Sequence, residues 1–160
     1  MSDLRLKRID TSKLWPPFVK LIETLMSRTV PYYAISGYRS VEEQNGLFAQ
    51  GRTKPGKIVT NAKGGQSLHN FGCAVDFAFD TDEAVPGLQP GWAFPSYNVL
   101  AGEARKIPGL ESGFFWKFID PGHVQVDLAA LKLTLADLMT AHTVGGMPAV
   151  FAVLNKAVGL

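Results

Sequence analysis

Two histidines and one aspartate form the most specific chemical pattern in the sequence. His69 and Asp76 stand seven residues apart in the stretch SLHNFGCAVD, and His123 follows in the stretch DPGHVQVD. Two imidazoles and one carboxylate are a three-ligand set of catalytic zinc sites, in which a fourth position is left for water. Nitrogen and oxygen donors without a thiolate favour zinc, although their type also allows iron or manganese. The three residues are therefore candidate metal ligands.

Each of these residues, taken alone, also has an ordinary structural explanation. A histidine can be a hydrogen-bonded part of the fold, and an aspartate can cap a helix or join an ion pair. The spacing between one histidine and one aspartate is weak support by itself, so the metal hypothesis rests on all three residues together. The third histidine, His142, stands alone in a polar helical turn and is interpreted as a surface residue.

Strand geometry separates the candidate ligand Asp76 from the apolar residues around it. The sequence predicts a strand from Gly72 to Phe79, in which successive side chains point to opposite faces. The odd-numbered positions are apolar and form the core face, so Cys73 is interpreted as a core residue and not as a thiolate ligand. Asp76 shares the other face with Ala74 and Ala78, whose small side chains leave space beside the carboxylate.

A second predicted strand, from His123 to Asp127, shows the same alternation. Its two valines would be buried, while His123, Gln125 and Asp127 would share the opposite, polar face. His69 comes just before the first strand. The two strands would therefore present histidine and aspartate side chains on polar faces, where they can meet.

The remaining elements follow from periodicity and capping signals. Apolar residues recur every three or four positions behind Pro16 and Pro17, which predicts a first helix. Ser40 and Glu43 have the spacing of a capping box at the start of a second helix, so Arg39 lies at a strand-to-helix junction. The predicted segments are helices from Pro16 to about Arg28, from Val41 to about Gln50, from Tyr97 to Ile107 with Ser96 as its cap, from Leu135 to His142 and from Pro148 to Val158, a strand from Pro31 to Ser36, and a basic surface loop from Gly51 to Gln66.

Composition indicates one folded domain over residues 1–160. With 46% hydrophobic and 19% charged residues, the chain has enough apolar material for a core. A net charge of +2 is too mildly basic for a nucleic-acid binder, so no nucleic acid is expected as a partner. The single cysteine cannot form an intramolecular disulfide, so folding does not require an oxidising compartment.

The chain ends bear on localisation. The N-terminal residues contain no apolar run of about seven to fifteen residues before a cleavage site, so we expect no signal peptide and accumulation in the cytoplasm. The apolar segment Met147–Leu160 is interrupted by Pro148, Asn155 and Lys156 and is shorter than the roughly 20 residues of a membrane-spanning helix. We expect a packed helix without stable membrane insertion, with peripheral membrane contact as the alternative.

The two motifs resemble those of a known peptidase family. SLHNFGCAVD is similar to the Ser-x-His-x-x-Gly-x-Ala-x-Asp pattern of the LAS-type zinc peptidases, which include D-alanyl-D-alanine carboxypeptidases, and DPGH resembles their acidic-x-x-His element. More narrowly, the segment from Ser36 to Phe77 resembles the L-alanyl-D-glutamate endopeptidases of bacteriophage endolysins and related bacterial cell-wall hydrolases. The resemblance extends from about Ile35 to Asp127.

This resemblance implies both a fold and a cofactor. The expected fold is α+β, with a small antiparallel sheet that carries the metal site and helices that flank it, as in hedgehog and D-alanyl-D-alanine peptidase domains. The chain would be a single catalytic domain whose C-terminal helices begin at about residue 130. The implied cofactor is Zn2+, and the implied ligands His69, Asp76 and His123 are the residues that the strand pattern selects.

The resemblance also implies a catalytic base and a catalytic arginine. Asp120 matches the base position, and the turn at Pro121 and Gly122 could bring its carboxylate over the open metal position. Arg39 matches the arginine that meets the substrate, where its charge would stabilise an oxyanion or bind a carboxylate. The alternatives are a plain turn residue for Asp120 and a surface ion pair with Glu42 or Glu43 for Arg39.

Three further residues match family positions near the substrate. They are interpreted as substrate-binding or hydrogen-bonding groups of the site. For the tryptophan, which follows two phenylalanines, a core position is the alternative. These residues are Ser67, Gln44 and Trp116.

The sequence thus predicts a zinc metallopeptidase that hydrolyses the L-alanyl-D-glutamate bond of the peptidoglycan stem peptide. Bacterial peptidoglycan is the expected partner, the protein is expected to be a monomer, and a phage or prophage endolysin is the expected type. It would reach the cell wall after the membrane is permeabilised. The alternatives are a D-alanyl-D-alanine carboxypeptidase with the same metal site and a zinc-containing binding module without catalysis. The acidic residue at the base position, Asp120, argues against the binding module.

Overall fold

An antiparallel sheet of five strands forms the centre of the computed structural model, which describes residues 9–28 and 30–160. The strands lie in the order β1-β2-β5-β4, and β3 pairs with the end of β2. In chain order, the strands are β1 (Tyr32–Ser36), β2 (Ala74–Asp80), β3 (Pro90–Gly91), β4 (Leu110–Ser112) and β5 (His123–Val126).

Four α-helices complete the described part of the chain. Short 3-10 turns at Thr11–Lys13, Leu68–Phe71, Phe94–Tyr97 and Gly113–Phe115 connect these elements. The α+β architecture is the one expected from the sequence. The helices are α1 (Pro16–Ser27), α2 (Val41–Ala49), α3 (Asn98–Arg105) and α4 (Leu135–Ala157).

The core lies on the apolar face of the sheet. Val75 and Phe77 of β2 and Val124 of β5 are at most 1% exposed, which confirms the predicted alternation. Helices α1, α3 and α4 cover this face, and their apolar side chains complete one continuous cluster. Cys73 belongs to this cluster, and its burial raises the pKa of the thiol far above its ordinary value. The opposite face of the two central strands carries the polar residues.

Most of the predicted elements are confirmed to within two residues. Helix α2 begins at the predicted capping box, in which the Ser40 hydroxyl accepts a hydrogen bond from the Glu43 amide while the Glu43 carboxylate accepts one from the Ser40 amide. The segment Gly51–Gln66 contains no helix and no strand of the sheet, and it is largely exposed, as predicted.

The predicted cap of the third helix is wrong. Ser96 lies inside the 3-10 turn Phe94–Tyr97, and α3 begins only at Asn98 without a side-chain cap. The reason is tertiary: Tyr97 is fully buried, and its hydroxyl accepts a hydrogen bond from the Phe79 amide and donates one to the Gly91 carbonyl. These bonds to β2 and β3 outweigh the local preference of a serine for a helix start.

Helix α4 is divided by two glycines. Gly145 and Gly146 have non-helical dihedral angles, so the helix consists of two segments, as the two predicted helices require. By length and composition alone, α4 is the one helix of the described residues that could cross a membrane. Each of its two segments has about ten residues and is about 15 Å long, whereas a bilayer core is about 30 Å thick. Leu138, Val150 and Leu154 of α4 are buried in the core.

One glycine fixes the chain between the 3-10 turn Leu68–Phe71 and strand β2. Gly72 has a left-handed conformation (φ 66°) and closes the turn, and its carbonyl accepts a hydrogen bond from the Trp15 amide. A Cβ atom at this position would lie 2.0 Å from the Lys13 carbonyl oxygen, which belongs to the backbone and cannot move away cheaply. Gly72 therefore sets the path from His69 to Asp76.

We predict that Gly72→Ala strongly destabilises the protein. A left-handed alanine costs about 1–2 kcal/mol, and the clash with Lys13 should raise the loss of unfolding free energy to about 3 kcal/mol or more. Gly87→Ala is the matched control, because Gly87 is also left-handed (φ 88°) but has open space around it. Urea unfolding of both variants measures the difference, and equal losses would contradict the proposed clash.

Candidate metal centre

The register of two adjacent strands brings two of the three candidate ligands together. Asp76 of β2 lies directly opposite His123 of β5. The Asp76 Oδ1 atom is 2.7 Å from His123 Nδ1, and the Asp76 Oδ2 atom is 3.3 Å from His69 Nε2. Directly paired residues of an antiparallel sheet place their side chains on the same face, so this contact follows from the register itself.

His69 enters the site from the 3-10 turn Leu68–Phe71. Ser67 caps this turn by accepting a hydrogen bond from the His69 amide. The Asn70 side chain accepts hydrogen bonds from the amides of Gly65 and Ser67, and it donates to the carbonyls of Arg39 and Ser40. The turn is thus fastened both to the preceding loop and to the start of α2.

The hydrogen bonds of His69 determine which of its nitrogens is available. His69 Nδ1 lies 2.7 Å from the Gly37 carbonyl oxygen, which can only accept, so Nδ1 carries the proton. The neutral ring then has its lone pair on Nε2, the nitrogen that faces Asp76. His69 is 3% exposed, so this orientation is fixed by its surroundings.

The three residues fit a metal ion. One donor atom from each of His69, Asp76 and His123 lies within 4.8 Å of the others. Donor atoms at about 2.0–2.1 Å from a tetrahedral zinc ion lie roughly 3.3 Å apart. The Asp76 oxygens lie at similar distances from the nearest histidine nitrogens, 2.7 Å from His123 Nδ1 and 3.3 Å from His69 Nε2. No other group of three His, Cys, Asp or Glu residues in the described ranges has this arrangement.

The electrostatics of the cluster favour a positive charge beside Asp76. Burial alone would raise the pKa of Asp76, but the protonated rings of His123 and His69 outweigh it through their hydrogen bonds and positive charge, and they hold that pKa well below its ordinary value. Burial alone would lower the pKa of His123, but the hydrogen bond and charge of Asp76 raise it. A divalent cation supplies the same kind of charge at this place as a proton does.

Arg39 also contacts Asp76. Its Nη2 donates to Asp76 Oδ2 at 2.7 Å, its Nε donates to Ser36 Oγ, and its Nη1 donates to Gln44 Oε1. The ion pair is therefore with Asp76, and Glu43 is occupied in the capping box of α2. Arg39 places a permanent charge one hydrogen bond away from the candidate ligand.

Gln44 stands behind Arg39 and is 0% exposed. Its carbonyl accepts from Arg39, and its amide donates to the Thr60 hydroxyl and the Ala62 carbonyl. Gln44 thereby links the guanidinium of Arg39 to the long basic loop.

Asp120 and Trp116 both contact His123. The Asp120 carbonyl accepts a hydrogen bond from the His123 amide, which closes the turn predicted from the sequence. Surrounding protein raises the pKa of the Asp120 carboxyl, and the negative charge of Asp76 adds to this shift while His123 opposes it. The Trp116 ring is 5.4 Å from the His123 ring, centroid to centroid, so this tryptophan forms one wall of the site.

Three contributors to the site, Glu111, Gln125 and Asn70, were not singled out as site residues from the sequence. Glu111 of β4 lies opposite Gln125 of β5 and accepts a hydrogen bond from its amide, while the Gln125 carbonyl oxygen lies 3.0 Å from His123 Nε2. The alternation of β5 puts Gln125 on the polar face, but the pairing of β4 with β5 is not visible in the sequence. Asn70 was also missed, although its position three residues after Ser67 is a capping-box signal.

Comparison with known proteins identifies the family of the chain. Residues 11–125 match the sequence profile of VanY, D-alanyl-D-alanine carboxypeptidase. Over 98 residues the chain is 42% identical to the peptidoglycan L-alanyl-D-glutamate endopeptidase CwlK of Bacillus subtilis (strain 168). This similarity covers 56% of the chain and 57% of CwlK, so the chain spans little more than half the length of this relative.

One solved structure supports the same fold. The L-Ala D-Glu endopeptidase ChiX of Serratia marcescens superposes with a TM-score of 0.57 over 81% of this chain and 90% of ChiX, at 20% sequence identity. The LD-carboxypeptidase LdcB gives a TM-score of 0.45 at 21% identity, covering 86% of this chain and 78% of LdcB. The family profile covers well over half of the chain and includes all three candidate ligands, and on this basis the chain belongs to the VanY D-alanyl-D-alanine carboxypeptidase family.

Proposed function

We propose that this protein is a zinc-dependent endopeptidase that hydrolyses the L-alanyl-D-glutamate bond of the peptidoglycan stem peptide. The observation that carries the proposal is the convergence of His69, Asp76 and His123 beside the carboxylate of Asp120. The similarity to CwlK, whose printed name specifies this bond, supports the endopeptidase activity and bacterial peptidoglycan as the partner.

His69, Asp76 and His123 would hold the zinc ion. Zinc acts as a Lewis acid that polarises a peptide carbonyl and makes a water molecule acidic enough to lose its proton near neutral pH. His69 offers Nε2, because its Nδ1 is engaged with the Gly37 carbonyl. Arg39 holds the Asp76 carboxylate in place through its hydrogen bond to Oδ2.

Asp120 is the proposed general base. Its carboxylate oxygen takes a proton from the attacking water and later passes that proton to the departing amine of D-glutamate. The shift that raises the pKa of Asp120 suits this task, because a more basic carboxylate accepts a proton more readily. The turn from Asp120 to His123 keeps the base beside the metal ligand.

Arg39 is the proposed electrostatic group. Negative charge develops on the carbonyl oxygen as water attacks, and a fixed positive charge next to that oxygen stabilises the transition state. Arg39 is held by Ser36, Gln44 and Asp76, so its guanidinium is already oriented before substrate binds. Trp116 is proposed to contact the substrate as a wall of the site, while Gln44 and Ser67 position Arg39 and His69.

A D-alanyl-D-alanine carboxypeptidase is the second candidate function. The description of the matched family names this activity, and it would use the same ligands and the same base. The two activities differ only in the bond that is placed beside Asp120 and the metal. A zinc-containing binding module, the non-enzymatic alternative, does not require a base at that position.

Mass spectrometry of peptidoglycan digests separates these functions. Soluble fragments that begin with D-glutamate, absent when a chelator is added, are the expected products. Loss of a terminal D-alanine alone would identify the carboxypeptidase. Absence of any product from zinc-loaded protein would contradict both enzymatic functions.

We predict that His123→Ala loses tight zinc binding. Removing one of three protein ligands leaves two donors, which is too few for a stable tetrahedral site. His142→Ala is the matched control, because His142 is exposed, lies outside the candidate metal cluster and packs its ring against Phe71. Isothermal titration with zinc should give one site per chain for the wild type and the control. Full zinc content in His123→Ala would contradict the ligand assignment.

We predict that Asp120→Asn keeps zinc but loses hydrolysis. An amide cannot take a proton from water, and loss of a general base lowers the rate by about 10²–10⁴-fold. Asp82→Asn provides the control, since Asp82 is an exposed residue that accepts a hydrogen bond from the Ala84 amide. The rate of fragment release at matched zinc occupancy is the measurement. An unchanged rate in Asp120→Asn would remove Asp120 from the mechanism.

A further inference from the structure

The two ring nitrogens of His123 have different partners. Nδ1 faces Asp76 Oδ1 at 2.7 Å, and Nε2 faces Gln125 Oε1 at 3.0 Å. A neutral imidazole carries one proton and one lone pair, so only one of its nitrogens can bind a metal ion. The partner on the other nitrogen therefore decides how His123 enters the centre.

Glu111 fixes the orientation of the Gln125 amide. Gln125 Nε2 lies 2.7 Å from Glu111 Oε1, and a carboxylate accepts hydrogen bonds but does not donate them. The NH₂ group of Gln125 must face Glu111, so its carbonyl oxygen must face His123. The β4–β5 register places the two residues directly opposite each other, and the Trp116 indole N–H donates to the second carboxylate oxygen of Glu111.

The orientation of Gln125 in turn favours one tautomer of His123 when a cation is bound. Both partners of the ring accept hydrogen bonds, the Asp76 carboxylate at Nδ1 and the Gln125 carbonyl oxygen at Nε2. A cation held beside Asp76 would take the lone pair of Nδ1, so the proton of the neutral ring would be on Nε2, where Gln125 accepts it. His69 has the opposite arrangement, because the Gly37 carbonyl holds the proton on Nδ1. One ligand is thus oriented by the backbone and the other by a pair of side chains.

We propose that Gln125, held by Glu111, is a positioning residue that keeps His123 in the Nε2–H tautomer and so presents Nδ1 to the metal ion. This inference rests on the zinc site of the proposed function. The charge of Glu111, transmitted through the amide, also strengthens His123 as a donor, as partners on the distal nitrogen of metal-bound histidines do. In this role the pair acts through His123 and supplies no ligand atom of its own.

We predict that Gln125→Leu weakens zinc binding about 10–100-fold, the usual effect of removing such a partner. Glu111→Gln keeps the shape of the side chain, and the oxygen of its amide can still accept a hydrogen bond from Gln125. This variant should therefore lose less zinc affinity than Gln125→Leu. Gln89→Leu is the matched control, because it makes the same change outside the cluster of His123, Gln125 and Glu111. Competition titration with a zinc-binding dye measures all three affinities.

Two further measurements distinguish positioning from a general loss of structure. Long-range ¹H–¹⁵N spectra of the zinc-loaded wild type should show a protonated Nε2 and a metal-bound Nδ1 for His123, and the Nε2 proton should exchange faster in Gln125→Leu. The double variant Gln125→Leu/Glu111→Leu should bind zinc about as tightly as Gln125→Leu alone, because Glu111 acts through Gln125.

The outcomes separate this inference from the proposed function. Zinc binding and hydrolysis by the wild type, with unchanged affinity and an unchanged His123 spectrum in Gln125→Leu, would overturn the positioning role and leave the zinc peptidase intact. A zinc-loaded wild type in which His123 is protonated on Nδ1 would do the same. A wild type that binds no zinc would overturn both.

Discussion

The pairing of Asp76 with His123 across strands β2 and β5 is the contact on which the site depends. It joins a carboxylate and an imidazole at 2.7 Å, and it follows directly from the antiparallel register of the two strands. A shift of one residue in that register would turn one of these side chains toward the core. The valines and the phenylalanine on the other face favour the observed register, because a shift of one residue would expose them to solvent. The hydrophobic core therefore specifies the metal centre as much as it stabilises the fold.

The polar side of the sheet holds a carboxylate that would be costly to bury alone. The Asp76 side chain is only 27% exposed, yet Arg39, His69 and His123 all contact it. Each contact favours the ionised form and offsets the lost hydration. The same arrangement prepares the carboxylate for a cation, so the energetic requirement of the fold and the chemical requirement of the proposed zinc site coincide.

Amide side chains connect the site to the long basic loop Gly51–Gln66. Gln44 donates hydrogen bonds to Thr60 and Ala62, Asn45 accepts one from Gly64, and Asn70 accepts one from Gly65. Such bonds fix the backbone of a segment that has no regular structure of its own. The loop is thereby held next to Arg39 and His69, where it can shape the approach to the proposed substrate cleft. Its basic residues remain at the surface, outside the buried cluster.

The sequence by itself determined the three candidate ligands, the strand faces that carry them and the capping box before α2, because period-two alternation and capping spacings are local properties. Tertiary structure alone decided which groups act on these ligands. Arg39 pairs with Asp76 and not with the nearby Glu42 or Glu43, and Glu111 orients Gln125. In the same way, the contacts of the buried Tyr97 decide that α3 begins after Ser96, the cap predicted from the sequence. Each of these outcomes depends on a partner from a distant part of the chain. The register and packing that select such a partner form only when the whole core is assembled.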